Sequence, residues 1–232
     1  MKASRPYMLI AASAVVVLIL FQHETILFHY AQTFTEPKTR SLMLDIVKQF
    51  ETPTVIDAGA WLGDTALQLA KANKCATVYA VEPSSQNCDF ILKHGMKNVH
   101  VINKCLSSNR SHKCRTDHLD IFSNKTYEMG SVGKSATTID DIWLSANNGV
   151  QLVHLDVEGH EYECLKGARQ CLRNNQTIFV VEILNDTAEK ERILELFRSH
   201  GYSSFIIPEN VGWWFRKKGY NYLFLPKMHC SV

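Results

Sequence analysis

Short apolar runs alternate with amphipathic segments along most of the chain after residue 50. The runs that read as buried strands are Thr54–Ile56, Thr77–Val81, Val99–Ile102, Leu152–Val157 and Ile178–Leu184. Helical spacing of apolar residues predicts helices at Thr39–Phe50, Asp64–Asn73, Ser85–His94, Ile139–Ala146, His160–Arg173 and Ala188–His200. Strands that alternate with helices predict a parallel sheet in an α/β domain.

The end of the chain departs from this alternation. Tyr202–Ile207 and Tyr222–Leu225 are two strand-like runs joined by a loop and not by a helix. Such a connection favours antiparallel pairing. We therefore expect a Rossmann-like sheet of seven strands with a final antiparallel strand. The polar stretch Ser107–Thr137 fits the pattern poorly, and we expect an insertion or hairpin over the ligand edge of the sheet.

A glycine-bearing turn follows the first strand, in the segment TVIDAGAWLGDTA. Asp57, Gly59 and Gly63 lie in it, and Glu82 ends the second strand 25 positions after Asp57. In doubly wound domains such a turn holds a nucleoside through its backbone, and the second-strand carboxylate binds the ribose hydroxyls. The alternative is an ordinary turn, in which Asp57 caps the helix and Gly59 permits a tight bend. The position of Glu82 at the end of the second strand favours the nucleoside site.

The spacing of the turn also narrows the cofactor class. It lacks one glycine of the G-x-G-x-x-G pattern that binds a dinucleotide pyrophosphate, which disfavours a nicotinamide-dependent oxidoreductase. A carboxylate at position 57 would repel phosphate and could hold an ammonium group. S-adenosylmethionine combines a ribose with an amino-acid end and has no phosphate. The predicted cofactor-binding residues are Asp57, Gly59, Trp61, Gly63 and Glu82, with Trp61 as a possible cover for the cofactor.

A second motif, VHLDVEGHEYECLKGA, supplies candidate catalytic groups. Its strand brings Asp156 towards the carboxyl edge of the sheet, where ligands bind in this type of fold. Methyl transfer to an alcohol needs alignment and the removal of one proton, and Asp156, Glu158 or His160 could be the base. Alternatively, Glu158 and Glu161 favour a helix N-terminus and His160 is a surface residue. Glu182, at the end of another strand, is a further candidate.

Composition excludes several other classes. The net charge of +2, without a long basic stripe, makes nucleic acid a poor partner. Seven cysteines occur without a CxxC pair, so we expect no zinc site and assign no metal ligands.

The N-terminal segment differs from the rest of the chain. Lys2 and Arg5 precede an uncharged apolar run from Tyr7 to Phe21, which reaches membrane-spanning length if it extends to Phe28. We predict a cytosolic segment at residues 1–6, a signal-anchor at 7–28, a stem at 29–38 and a lumenal domain at 39–232. A cleaved signal peptide is the alternative.

Two features are consistent with a lumenal domain. Four N-x-S/T sequons occur, at Asn109, Asn124, Asn175 and Asn185. Cys105 and Cys114 are the most plausible disulfide pair. Cys164 and Cys171, seven positions apart on one predicted helix, would lie about 10 Å from each other, which is too far for a bridge.

These motifs together resemble the FkbM-type methyltransferases. The resemblance covers residues 50–207 and rests on VIDAGAWLGDT, VEP, TTIDDI and LDVEGHEYECLKGA, in that order. The DVEG-x-E segment of that family falls on Asp156, Val157, Glu158, Gly159 and Glu161. Its first motif usually reads D-x-G-A-N, and here Trp61 replaces the asparagine.

The resemblance implies transfer of a methyl group from S-adenosylmethionine to an oxygen, commonly a hydroxyl. With a lumenal anchor, the expected acceptor is a hydroxyl of a glycan, glycolipid or small molecule in the Golgi or endoplasmic reticulum. The alternative from another class is a catalytically inactive binding domain that keeps the methyltransferase fold.

Overall fold

The structure is a computed structural model that describes residues 36–115, 128–130, 133–146, 149–184, 187–209 and 219–227. The predicted cytosolic segment and signal-anchor lie outside these residues, as do most of the stem and the sequons at Asn124 and Asn185. Among the described residues, no helix has the length and apolar character that crossing a membrane requires.

The described elements follow the predicted alternation of strands and helices. The helices are α1 (Pro37–Lys48), α2 (Asp64–Ala72), α3 (Ser85–Lys93), α4 (Ile139–Ser145), α5 (Glu161–Lys166), α6 (Arg169–Asn174) and α7 (Thr187–Ser199). The strands are β1 (Thr54–Ala58), β2 (Thr77–Val81), β3 (Val99–Ile102), β4 (Cys105–Leu106), β5 (Lys113–Arg115), β6 (Glu128–Gly130), β7 (Lys134–Thr137), β8 (Leu152–Leu155), β9 (Ile178–Leu184), β10 (Tyr202–Ile206) and β11 (Gly219–Pro226).

The main sheet has seven strands in the order β10-β11-β9-β8-β1-β2-β3. β3, β2, β1, β8 and β9 are parallel neighbours, and β11 pairs antiparallel with both β9 and β10. This confirms the predicted Rossmann-like sheet with a final antiparallel strand. The carboxyl ends of β1, β2 and β8 meet at one edge, because Ala58 pairs with both Val81 and Leu155.

The core consists of one apolar layer on each face of the sheet. Val55 and Leu152 lie in a buried cluster with Met43 of α1. Ile56 and Leu155 lie in the larger cluster on the opposite face. Side chains of a strand alternate between its two faces, so a strand buried on both sides is apolar almost throughout. The buried β1 therefore makes its one carboxylate, Asp57, an exception that needs a partner.

Two predicted elements have different bounds in the structure. The helix expected at His160–Arg173 is two helices, α5 and α6, separated at Gly167. A Cβ at Gly167 would overlap the carbonyl oxygen of Ser107, so the close approach of another segment requires glycine there. The strand expected to end at Val157 ends at Leu155, which leaves Asp156 in the following loop.

The insertion after β3 forms a small second sheet in the order β4-β7-β5-β6. A disulfide joins Cys105 of β4 to Cys114 of β5, with the Cα atoms 6.2 Å apart, which confirms the predicted pair. Cys164 and Cys171 are buried free thiols, and they lie on two helices, α5 and α6, instead of the one helix that was expected.

Gly59→Ala should prevent stable folding, because the added Cβ would overlap the backbone carbonyl of Asp156 and φ is +79°. Gly95→Ala is the matched control. It has a similar positive φ of +60° and no heavy atom within 4 Å of the added Cβ, so it should cost only about 1–2 kcal/mol. Urea unfolding followed by circular dichroism measures both. Equal free energies of unfolding for the two variants would contradict this packing.

Candidate active site at the carboxyl edge of the sheet

The predicted glycine turn lies between the ends of β1 and β2. The backbone N–H groups of Gly59 and Ala60 both donate to the carbonyl oxygen of Val81, at 3.0 and 3.2 Å. Gly59, Trp61 and Gly63 have φ values of +79°, +47° and +79°. A tryptophan in this left-handed region is strained, so the surrounding turn must hold it there.

Glu82 connects this turn to the end of β2. Its Oε2 accepts from the backbone N–H of Trp61 at 2.9 Å, and its Oε1 accepts from the N–H of Ser84 at 2.8 Å and from Nδ2 of Asn87 at 3.3 Å. A carboxylate has about four acceptor sites, so these three donors leave room for one more hydrogen bond. Burial raises the pKa of Glu82 to about 7, despite the hydrogen bonds that favour its charged form.

A small cleft lies beside the turn. Most of its wall is apolar, formed by Val81, Pro83, Leu106, Val157 and the Cys105–Cys114 disulfide, with Gly59 and His160 completing it. Small-molecule sites commonly combine apolar surface with a few placed polar groups. The cleft has such an apolar wall, and Glu82 directly follows Val81, the residue that β2 contributes to it.

Asp57 lies below the turn and is 1% exposed. Its Oδ1 lies 2.7 Å from Nδ1 of His154, the residue beside it on β8. Burial lowers the pKa of His154, but the hydrogen bond and charge of Asp57 outweigh it, and the net pKa is raised. Oδ2 of Asp57 is buried without a hydrogen-bond partner among the described residues. Its predicted contact with an ammonium group stays a prediction.

A second buried ion pair lies where the N-terminal part of α1 meets the start of α2. Nη2 of Arg40 lies 2.7 Å from Oδ2 of Asp64. Burial raises the pKa of Asp64, and the charge of Arg40 opposes that rise. This pair fixes α1 over the sheet beside the glycine turn.

The three predicted catalytic residues lie in different environments. Glu158 is exposed and has a φ of +54°, which turns the chain after β8. His160 lines the cleft, with Nε2 3.5 Å from Oγ of Ser107, and burial lowers its pKa. Asp156 instead lies next to Glu182, because the residues before them, Leu155 and Val181, are paired in β8 and β9. Burial and the charge of Glu182 raise the pKa of Asp156 well above its usual range.

Glu161 holds the loop that carries these residues. Its Oε1 accepts from the backbone N–H groups of Val157 at 3.2 Å and Gly159 at 3.0 Å. Its carboxyl is buried, and this burial raises its pKa to about 7. The structure therefore supports the alternative interpretation of Glu161 as a residue that stabilises the start of the helix.

Asn87 and His154 were not among the predicted site residues. Asn87 follows Glu82 by five residues in the first turn of α3, so a polar residue one turn after a strand-end carboxylate was the available signal. His154 was recognisable only as a polar residue inside an apolar strand opposite Asp57. Among the described residues, no group of three or more His, Cys, Asp or Glu side chains is placed to hold a metal ion.

The family model described as methyltransferase FkbM domain matches residues 57–204, which is more than half of the chain. No curated protein matches the sequence.

Similar solved structures include an FkbM methyltransferase from Methylobacillus flagellatus KT. It has 15% identity and a TM-score of 0.56, covering 75% of this chain and 43% of its own. A precorrin-6y C5,15-methyltransferase from Geobacter metallireducens GS-15 has 12% identity and a TM-score of 0.53, over 82% of this chain and 88% of its own. The chain thus spans less than half of the Methylobacillus protein. At these identities the likeness establishes the fold alone.

Glu161→Gln should flatten the pH dependence of stability. A carboxyl whose pKa rises from 4.5 to about 7 on folding stabilises the protein below pH 4.5 and loses that contribution as the pH rises through 7. Glutamine keeps the accepting oxygen and does not titrate. The variant should match the wild type at pH 5 and exceed it by roughly 1–3 kcal/mol at pH 8. Urea unfolding at both values measures this, and identical slopes against pH would contradict the assignment.

Proposed function

Because the chain belongs to the FkbM methyltransferase family, we propose that it transfers a methyl group from S-adenosylmethionine to a hydroxyl of a glycan or glycolipid. The observation that carries the proposal is the hydrogen bond between Glu82 and the N–H of Trp61 beside the apolar cleft. It joins the second-strand carboxylate to the glycine turn in one site. S-adenosylmethionine is the cofactor, and its sulfonium supplies the methyl group and its leaving group.

Residues in and beside the cleft would each contact a different part of the cofactor. Glu82 would accept a ribose hydroxyl at the end of β2, and Val81, Leu106 and Val157 would contact the base. Gly59 allows the backbone of the turn to approach the methionine part closely, because it has no side chain. The buried Oδ2 of Asp57 remains available to an ammonium group beneath the turn.

We assign the role of general base to Asp156. Burial and the charge of Glu182 raise the pKa of Asp156, which favours its protonated form, and a protonated carboxyl cannot accept a proton. Positive charge placed beside a carboxyl lowers its pKa. Asp156 would therefore gain the ability to accept a proton from an acceptor hydroxyl when a cationic cofactor is present. The pKa of His160 is lowered, so its ring is neutral at pH 7. Its Nε2, however, lies beside the hydroxyl of Ser107 in the cleft wall.

We further propose that the domain is lumenal, in the endoplasmic reticulum or Golgi, and anchored by residues 7–28. The Cys105–Cys114 disulfide supports this, since disulfides persist in oxidising compartments. The sequon residue Asn109 is exposed, as a glycan-bearing asparagine must be. A glycan or glycolipid acceptor is consistent with that location.

Glu82→Ala should weaken the binding of S-adenosylmethionine by about 1–3 kcal/mol, through the loss of charge-assisted hydrogen bonds. Affinity of the wild type should also rise between pH 6 and 8, because the ionised carboxylate is the better acceptor and its pKa is about 7. Glu82→Gln should remove this pH dependence. Isothermal titration calorimetry on the full chain measures both effects.

The exposed Glu191→Ala is the control and should bind as the wild type does. Unchanged affinity in Glu82→Ala would remove Glu82 from the site. A folded wild type that does not bind S-adenosylmethionine would instead favour the alternative, an inactive binding domain.

Asp156→Asn should lower turnover by about 100-fold or more, the usual effect of a general base, with cofactor affinity nearly unchanged. Glu158→Gln and His160→Gln are the matched comparisons, and each should retain most of the activity. Incubation with labelled S-adenosylmethionine and a panel of glycans and lipids, followed by mass spectrometry, would identify the methylated acceptor and provide the assay. A larger loss in either comparison variant would transfer the base role to that residue.

A further inference from the structure

Three polar side chains lie along the carboxyl edge of the sheet, directly after β8, in β9 and in β11. Leu155 of β8 pairs with Val181 of β9, so the next residues, Asp156 and Glu182, are neighbours, and the charge of Glu182 contributes to the raised pKa of Asp156. On the other side of β9, Asn221 of β11 lies directly opposite Glu182. Directly opposed residues of paired strands project to the same face of the sheet. We refer to these three residues as the polar row.

Asn221 has no partner for either end of its amide. It is 0% exposed, and neither Oδ1 nor Nδ2 forms a hydrogen bond among the described residues. Buried amides in folded proteins are normally paired, and an unpaired one destabilises the fold. Asn87, another buried asparagine, shows the usual condition, since its Nδ2 donates to Glu82. The amide of Asn221 therefore has hydrogen-bonding capacity that the described residues do not use.

The strand order puts the polar row beyond the cofactor cleft. The sheet runs β2-β1-β8-β9-β11, so Glu82 and the glycine turn lie on one side of Asp156 and Asn221 lies on the other. Adjacent strands are about 4.8 Å apart, which gives roughly 14 Å from β1 to β11. An acceptor must lie next to the end of the cofactor that carries the methyl group. The polar row lies further along the same carboxyl edge of the sheet, beyond the glycine turn.

The chemistry of the row indicates a class of acceptor. An asparagine amide both donates and accepts, and carboxyl groups accept or donate according to their protonation. Neighbouring hydroxyls of a sugar or polyol, which also do both, complement this set. The row contains no cationic side chain, so it offers nothing to pair with a phosphate or carboxylate.

We propose that Asp156, Glu182 and Asn221 form the acceptor subsite, and that the amide of Asn221 binds adjacent hydroxyls of a sugar or polyol acceptor. The inference rests on the proposed function and adds to it the position of the acceptor and a specificity-determining residue. Asn221 is a binding residue in this assignment, and Asp156 keeps the role of base.

The test uses the full chain loaded with S-adenosylhomocysteine. Saturation-transfer NMR measures binding of methyl α-glucoside, methyl α-galactoside and methyl α-mannoside, with cyclohexanol as a probe that lacks adjacent hydroxyls. The wild type should bind at least one glycoside and not cyclohexanol. Asn221→Leu should lose at least tenfold in glycoside affinity while its melting temperature stays equal or rises, because the unpaired amide is gone.

Tyr220→Phe is the matched control. Tyr220 precedes Asn221 on β11, so its side chain lies on the opposite face, and this variant should bind glycosides as the wild type does. Affinity for S-adenosylhomocysteine, measured by calorimetry, should stay within twofold in both variants.

Several results would overturn the inference. Failure of every glycoside to bind a wild type that does bind S-adenosylhomocysteine would reject the subsite and leave the proposed function standing. Equal glycoside binding by Asn221→Leu would remove Asn221 from the subsite. A lower melting temperature with weaker S-adenosylhomocysteine binding in that variant would assign Asn221 a structural role. A wild type that binds no S-adenosylhomocysteine would reject both proposals.

Discussion

The contact between Gly59 and the backbone of Asp156 is the constraint on which the site depends. Only a residue without a side chain lets the turn after β1 lie against the loop after β8. The contact therefore joins the glycine turn, which faces the cofactor cleft, to the loop that carries the candidate base. The hydrogen bond from the N–H of Asp156 to the carbonyl of Ala58, at 3.0 Å, fixes the same junction from the other direction.

The carboxylates around this junction fall into two electrostatic groups. Asp57 and Asp64 lie beneath the turn, and each has a basic partner, His154 and Arg40 respectively. Glu82 and Asp156 lie at the edge of the sheet, and burial raises the pKa of both. A buried carboxyl without a nearby cation favours its neutral form. A cationic ligand would therefore stabilise the ionised forms of Glu82 and Asp156. The sulfonium and ammonium groups of S-adenosylmethionine carry positive charge.

The sequence was sufficient to predict the features that depend on local pattern. The parallel strands follow from apolar runs, and the closing antiparallel strand follows from the missing crossover helix. The Cys105–Cys114 pair follows from short separation in a loop. The sequence did not predict the break at Gly167, nor the close approach there of the carbonyl of Ser107, which lies sixty positions earlier in the chain. The sequence also did not predict the contact between Asp57 and His154, because that contact depends on which strands are neighbours in the sheet.

The loop after β8 explains why three nearby candidates for the base have different surroundings. If β8 continued, alternation along the strand would place the side chains of Asp156, Glu158 and His160 on one face of the sheet. The strand ends at Leu155, however. Left-handed backbone at Glu158 and Gly159 then reverses the chain, so His160 reaches the cleft wall. Asp156, next to the last strand residue, keeps the register of β8 and meets Glu182. A base must contact the acceptor and not the adenosine, and Asp156 is the candidate of the three that lies beside Glu182 of β9.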